Sequence, residues 1–91
     1  LEHEVRQIAY TLGESKIRVN AVSAGPVDTL SSRVIQGYKK MKNAASEKSP
    51  LKRNITLDEV ANSALFLLSD MSSGITGEIL HVDSGYNIMG I

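Results

Sequence analysis

Residues 17–26 read IRVNAVSAGP and indicate a short buried strand that stops abruptly. The part before Gly25 is rich in β-branched residues, which are enriched in strands. Arg18 and Asn20 interrupt the alternation, as polar residues do near the start of a strand that is covered on both faces. Gly25 and Pro26 end the pattern, because proline cannot donate to a central ladder.

A helix and a second strand follow, in the order of a βαβ unit. Residues 55–70, ITLDEVANSALFLLSD, predict a helix, since Thr56 and Glu59 have the T-x-x-E spacing of a capping box. Residues 77–85, GEILHVDSG, predict a strand that also ends at a glycine. Parallel strands need a crossover between them, and the helix at 55–70 is well placed to supply it after the strand at 17–24.

Both predicted helices carry an apolar stripe. In the second helix the stripe follows helical spacing and comprises Val60, Ala64, Leu67 and Leu68. The chain begins inside a helical pattern, in which the apolar positions are Leu1, Val5, Ile8 and Leu12. We expect this first helix to end at Gly13 in the left-handed conformation that glycine tolerates. We interpret the chain as a piece of a longer protein.

Composition limits the partners of the chain. Its 91 residues are 42% hydrophobic, which suits one small globular domain. Ten basic and ten acidic residues give no net charge, so neither nucleic acid nor an anionic membrane is an expected partner. Cysteine is absent, which excludes disulfides and thiolate metal sites and fits a reducing compartment. Two strands alone cannot form a stable parallel sheet, so the α/β fold is expected to be incomplete.

Residues 25–27, called here the glycine corner, follow the first strand. Ligands of open α/β sheets bind beyond the carboxyl ends of the strands, and Gly25 there would let the backbone approach a ligand closely. Pro26 stiffens the corner, while the Val27 backbone and the Thr29 hydroxyl could address a carboxamide or a phosphate. On spacing alone, an ordinary strand end followed by a Ser/Thr-capped helix explains these residues as well.

Three segments together resemble the enoyl-acyl-carrier-protein reductases of the short-chain dehydrogenase/reductase superfamily. They are residues 17–30, IRVNAVSAGPVDTL; residues 49–70, SPLKRNITLDEVANSALFLLSD; and residues 72–90, SSGITGEILHVDSGYNIMG. The resemblance spans essentially the whole chain. It implies that residues 1–91 are the C-terminal third of a single Rossmann-like domain, with a doubly wound parallel sheet that is incomplete here.

The resemblance also implies the binding roles of individual residues. Gly25, Pro26 and Val27 would lie against the nicotinamide of NADH, with NADPH as the alternative, and Thr29 would reach the pyrophosphate. Residues 29–48 would include a mobile segment that binds the acyl substrate. The substrate-binding residues would be Leu30, Ser31, Val34, Ile35 and Tyr38.

The implied reaction is the reduction of a trans-2-enoyl thioester carried on acyl carrier protein, in type II fatty acid biosynthesis. The tyrosine and lysine that stabilise the enolate in this family are not in the sequence, and Tyr10 does not have the spacing to replace them. No catalytic and no metal-binding residue is therefore predicted, and the chain alone should be inactive. The parent protein is expected to be a cytoplasmic homotetramer.

Two other interpretations stay open. Asp28 is more typical of carbonyl-reducing members of the superfamily, such as 3-ketoacyl reductases, whereas the order Gly25-Pro26 and the GITGE…VDSGY ending favour an enoyl reductase. The third interpretation is a non-catalytic fragment that retains only the oligomerising half of the fold.

Overall fold

The computed structural model describes residues 1–27, 43–44 and 46–89. The regular elements whose bounds lie within the described residues are helix α1 (Glu2–Leu12), strand β1 (Ala21–Ala24), helix α2 (Leu57–Leu68) and strand β2 (Ile79–Val82). Residues 43–44 and 46–48 are also helical. Short 3-10 turns follow α1, α2 and β2, at Gly13–Ser15, Asp70–Ser72 and Tyr86–Met89.

The two strands form a parallel sheet, which confirms the predicted βαβ order. Ala21 lies opposite Ile79, and Ala24 lies opposite Val82. Helix α2 connects the strands and packs against both of them, as a crossover helix does. Because the strands are parallel, their carboxyl ends meet at one edge of the sheet.

The end of helix α1 differs from the prediction in its capping. The helix ends at Leu12 as expected, but Gly13 keeps right-handed torsion angles (φ −62°, ψ −33°) and starts a 3-10 turn. Lys16 takes the left-handed conformation instead (φ 62°), and its N–H donates to the Gly13 carbonyl oxygen at 3.0 Å. The prediction of a left-handed Gly13 was wrong because an extra turn intervenes before the chain reverses.

Strand β1 is shorter than the sequence predicted. It begins at Ala21, and the side chains of Arg18 and Asn20 before it bond to the connection between α2 and β2. The Arg18 guanidinium donates to the Ser72 hydroxyl at 3.0 Å and to the Ile75 carbonyl oxygen at 3.2 Å. The Asn20 side chain donates to the same carbonyl oxygen at 3.0 Å and accepts the N–H of Glu78 at 3.0 Å. These two residues therefore hold the connection between α2 and β2 against the start of β1.

Helix α2 begins with the predicted capping box. The Thr56 hydroxyl accepts the Glu59 N–H at 3.2 Å, and the Glu59 carboxylate accepts the Thr56 N–H at 2.8 Å. Leu67 is buried, but Leu68 is 81% exposed, so the predicted stripe was wrong at that position. The protein-facing side of α2 follows the half-buried and buried positions Val60, Ser63, Ala64 and Leu67.

The apolar core of the described residues is small. The residues with less than a tenth of their apolar side chain exposed are Val5, Ala9, Ile55 and Leu67. Within the same residues, no helix combines the length and the apolar character needed to cross a bilayer.

Candidate functional site

The carboxyl ends of the two strands meet closely at Gly25. Its N–H donates to the Val82 carbonyl oxygen at 3.0 Å, which continues the sheet ladder by one residue. A Cβ on residue 25 would lie 3.0 Å from the Cβ of Asp83 and 3.2 Å from its Cα. Any side chain here would push the strand ends apart, so close approach between the two strands is a sufficient reason for this glycine.

The glycine corner continues into a third backbone pairing. Val27 forms an isolated parallel bridge with Ile55, the residue just before Thr56. Ile55 is only 4% exposed, whereas Gly25, Pro26 and Val27 are half-buried. The backbone of the corner is thus fixed by its pairing with Ile55, while its own residues stay accessible among the described parts of the chain.

The turn after β2 is packed against the segment that leads into α2. Gly85 has a φ of +87°, and a Cβ there would lie 2.8 Å from the Pro50 ring. The Leu51 N–H donates to the Ser84 carbonyl oxygen at 3.1 Å. Residue 85 therefore requires glycine for both its torsion angle and its contact.

Asp83 caps the turn that follows β2. One carboxylate oxygen accepts the Gly85 N–H at 3.0 Å, and the other accepts the Asn87 N–H at 3.1 Å. These contacts stabilise the turn formed by Asp83, Ser84 and Gly85. Because both carboxylate oxygens serve the backbone, the geometry fits a structural role for Asp83 and not proton transfer.

A charged pair borders the corner on its other side. Arg53 Nη1 and Nη2 donate to the two carboxylate oxygens of Glu59, each at 2.8 Å. The hydrogen bond from Arg53, followed by the one from the Thr56 N–H, lowers the pKa of Glu59 from its ordinary value of 4.5 to about 2. The same hydrogen bond and the nearby negative charge raise the pKa of Arg53.

The structure brings together only part of the predicted site. Gly25 and Pro26 line a narrow cleft at the sheet edge, and Val27 follows them on its bridge to Ile55. The other residues of the cleft are Arg53, Asn54, Ile55 and Asp83. The remaining predicted cofactor residue, Thr29, lies outside the described residues, as do the predicted substrate residues Leu30, Ser31, Val34, Ile35 and Tyr38.

Arg53, Asn54 and Ile55 were not assigned to the site from sequence, although their segment was recognised as part of a motif. A lysine- and arginine-containing loop before a capping box looks like an ordinary solvated helix start. The useful signal was Ile55, a β-branched residue placed directly before the cap. Ile55 pairs with Val27, which lies far from it in the sequence, and local sequence patterns cannot predict such a pairing.

The arrangement places the glycine corner at an edge of the sheet. The cleft of described residues lies at the carboxyl edge of a parallel sheet, where open α/β proteins bind nucleotides. Asp83 and Glu59 are the carboxylates of this region, and both are engaged in hydrogen bonds to backbone or to arginine. The cleft has essentially no free volume among the described residues, so these residues by themselves form at most one edge of a ligand site.

The fold of the described residues is part of a Rossmann-like α/β domain. The profile described as enoyl-(acyl carrier protein) reductase matches residues 1–87. The chain belongs to this family. It is 54% identical over 91 residues to the enoyl-[acyl-carrier-protein] reductase [NADH] FabI of Synechocystis sp., covering 100% of this chain and 35% of that relative.

Solved structures agree with this assignment. FabI from Candidatus Liberibacter asiaticus superposes with a TM-score of 0.89 at 46% identity, covering 100% of this chain and 35% of that one. The Bacillus cereus enoyl-acyl carrier protein reductase, solved with NADP+ and indole naphthyridinone, gives 0.87 at 46% identity with the same coverage. The chain thus spans about a third of the length of these relatives.

Proposed function

We propose that this chain is the C-terminal third of an enoyl-acyl-carrier-protein reductase, in which it supplies one wall of the dinucleotide site. The whole enzyme reduces the double bond of a trans-2-enoyl thioester on acyl carrier protein, as part of type II fatty acid biosynthesis. The observation that carries this proposal is the glycine corner at the carboxyl edge of the parallel sheet, within a chain that belongs to the family.

We propose that the residues of the glycine corner border the nicotinamide. Gly25 and Pro26 present no long side chain to the cleft, and all three corner residues are half-buried rather than sealed. We assign Gly25, Pro26 and Val27 to the nicotinamide and Thr29 to the pyrophosphate. The bound dinucleotide supplies a hydride for the β-carbon of the substrate. The corner residues hold the ring in one orientation, which fixes the direction of transfer.

We assign NADH as the cofactor, with NADPH as the alternative. The Synechocystis relative is named for NADH, and the Bacillus cereus structure was solved with NADP+. The strand and phosphate loop that distinguish the two cofactors in this superfamily do not occur in this sequence. The corner would contact the nicotinamide end, which the two cofactors share.

The substrate side of the proposal concerns residues 29–48. We propose that this segment binds the acyl chain through Leu30, Ser31, Val34, Ile35 and Tyr38. The enolate oxygen formed on hydride transfer needs positioned hydrogen-bond donors. We assign those donors to a tyrosine and a lysine in the rest of the enzyme, so this chain contributes no catalytic residue of its own.

We further propose that the parent enzyme is a cytoplasmic homotetramer. Support comes from apolar residues left exposed on the outer side of α2, namely Leu57 at 62%, Leu65 at 64% and Leu68 at 81%. Contiguous exposed apolar surface is typical of interfaces. The cysteine-free composition is compatible with the cytoplasm. Light scattering on the full-length protein tests the assembly, and a monomeric mass would contradict it.

The test of the reaction uses the full-length protein that contains this chain. Adding a crotonyl thioester to enzyme and NADH should consume NADH, as followed by the absorbance of the reduced nicotinamide. A 3-ketoacyl thioester serves as the competing substrate. Reduction of the ketoacyl thioester alone would overturn the proposal in favour of a carbonyl-reducing enzyme. Failure to reduce either thioester, with either dinucleotide, would overturn the reductase assignment altogether.

A further inference from the structure

Arg53 and Glu59 form an ion pair with two hydrogen bonds at the protein surface. Its two N–H···O contacts, both at 2.8 Å, give the fork-to-fork geometry that makes such pairs strong and directional. The two side chains are 49% and 37% exposed. Exposed pairs contribute little to global stability. The geometry therefore suggests that the pair fixes a local conformation.

The conformation that the pair fixes is the backbone on both sides of Ile55. Arg53 Nη1 also donates to the Asn54 carbonyl oxygen at 3.1 Å. Glu59 Oε1, which accepts from Arg53, also accepts the Thr56 N–H at 2.8 Å. The same two side chains thus hold the peptide groups immediately before and after Ile55.

Ile55 transmits this restraint to the glycine corner. Its backbone pairs with Val27 in the isolated parallel bridge, and its side chain is 4% exposed. Arg53 and Ile55 also line the same cleft as Gly25 and Pro26. The ion pair is therefore linked to the corner by hydrogen bonds to the peptide groups beside Ile55 and by the bridge from Ile55 to Val27.

We propose that Arg53 and Glu59 are positioning residues for the nicotinamide end of the dinucleotide site. They lock residues 53–56, and those residues set the position of Val27 through the Ile55 bridge. Neither side chain is assigned a contact with the reacting atoms. This inference rests on the proposed function, since it presumes that the corner holds a dinucleotide.

The chain offers a matched control pair elsewhere. Arg6 and Glu2 form an ion pair on α1, with 3.9 Å between Nη2 and Oε2 and with side chains 70% and 58% exposed. Neither residue lines the cleft at the corner. Removing this pair deletes the same chemical groups without touching the path to Val27.

The experiment measures NADH binding and amide hydrogen exchange on the full-length protein. The variants are Arg53→Gln, Glu59→Gln and their combination, with Arg6→Gln as the control. Glu59→Gln keeps an oxygen that can accept the Thr56 N–H, so it separates loss of the ion pair from loss of the helix cap. Arg53→Lys restores the charge without the two-pronged geometry.

We expect each Gln variant to raise the Kd for NADH roughly threefold to tenfold, the range that coupling through packed contacts usually produces. The double variant should have a Kd for NADH no higher than that of the weaker-binding single variant, because the two substitutions remove the same restraint. Amide exchange should accelerate at Gly25, at Val27 and at residues 53–56. Arg53→Lys should recover only part of the affinity, and Arg6→Gln should match the unsubstituted protein in both measurements.

Two results would overturn the positioning role alone, provided that the unsubstituted protein binds NADH. The first is an unchanged Kd in Arg53→Gln and Glu59→Gln, even with a lower Tm, since it would mean that the pair is only structural. The second is amide exchange at Gly25 and Val27 that stays unchanged in the variants. Failure of the unsubstituted protein to bind either dinucleotide would instead overturn the proposed function and this inference with it.

Discussion

At the scale of single residues, the glycine corner is governed by how closely the two strand ends approach. A Cβ added at residue 25 would lie closest to the Cβ and Cα of Asp83. These atoms cannot move away by a rotamer change, as the end of a flexible side chain could. The sequence suggested that the glycine makes room for a ligand. The structure gives a different reason, because Asp83 already occupies the room that a Cβ at residue 25 would take.

Gly25→Ala should therefore destabilise the full-length protein by about 1–3 kcal/mol, the usual cost of forcing atoms into a packed site. It should also weaken NADH binding, since residues 25–27 would shift. Gly74→Ala is the control, because a Cβ there meets nothing within 4 Å. Urea denaturation measures both variants. Equal stability of the two would contradict the close-packing explanation.

Two buried serines provide the second test at this scale. The Ser72 hydroxyl donates to the Leu67 carbonyl oxygen at 2.9 Å and accepts from Arg18 at 3.0 Å. The Ser84 hydroxyl is buried without a hydrogen-bond partner among the described residues. A buried polar group is costly when unpaired and useful when bonded.

We expect Ser72→Ala to lower the free energy of unfolding by about 1–3 kcal/mol, the cost of leaving partners unpaired. Ser84→Ala should leave it unchanged or raise it by up to about 1 kcal/mol, because an unsatisfied hydroxyl is removed. Thermal and urea unfolding of the full-length protein compare the two. A marked loss of stability in Ser84→Ala would mean that another part of the enzyme binds this hydroxyl.

At the scale of elements, helix α2 starts where the sequence placed it because the capping box is a local signal. Thr56 and Glu59 lie three residues apart, and their reciprocal hydrogen bonds need no distant partner. The addition of Arg53 to this box was not predicted. It makes the Glu59 carboxylate both a helix cap and one half of an ion pair.

The stability that Glu59 contributes should depend on pH. Its pKa in the folded protein, about 2, lies below the ordinary value of 4.5, mainly through the Arg53 hydrogen bond. The contribution is therefore complete above pH 4.5 and is lost progressively as the pH falls towards about 2. Urea denaturation at a series of pH values should show the difference between wild type and Glu59→Gln shrinking in this window. When Arg53 is also replaced by Gln, the pH dependence of the stability contributed by Glu59 should weaken. An unchanged pH dependence would exclude Arg53 as the cause of the lowered Glu59 pKa.

Most predictions that needed only local information succeeded, apart from the left-handed Gly13, whereas several that needed distant contacts did not. The order of strand, helix and strand follows from periodicity and caps, and the structure has it. The start of β1 could not be predicted, since Arg18 and Asn20 bond to residues more than 50 positions away. The helical spacing predicted that Leu68 faces the core, but it is exposed. The neighbouring elements decide which side of a helix is covered. The Val27–Ile55 bridge is non-local in the same sense.

At the scale of the whole molecule, the described part of the chain exposes more apolar surface than a self-sufficient domain. Large side chains such as Tyr10, Leu68 and Met71 are more than 80% exposed, while only four apolar residues are buried. The sheet has two parallel strands, whereas parallel sheets are stable when both faces are covered. We expect the rest of the proposed enzyme to bury these exposed surfaces.

The isolated 91-residue polypeptide should therefore not unfold cooperatively, and it should bind a hydrophobic dye at neutral pH. The physical reason is that so small a core does not offset the conformational entropy of ordering the chain. Near-ultraviolet circular dichroism during a urea titration measures this, with the full-length protein as the control. The isolated polypeptide should also fail to consume NADH with a crotonyl thioester. A sharp transition with native-like aromatic signals would show that α1, α2 and the two strands hold together without the remaining sheet.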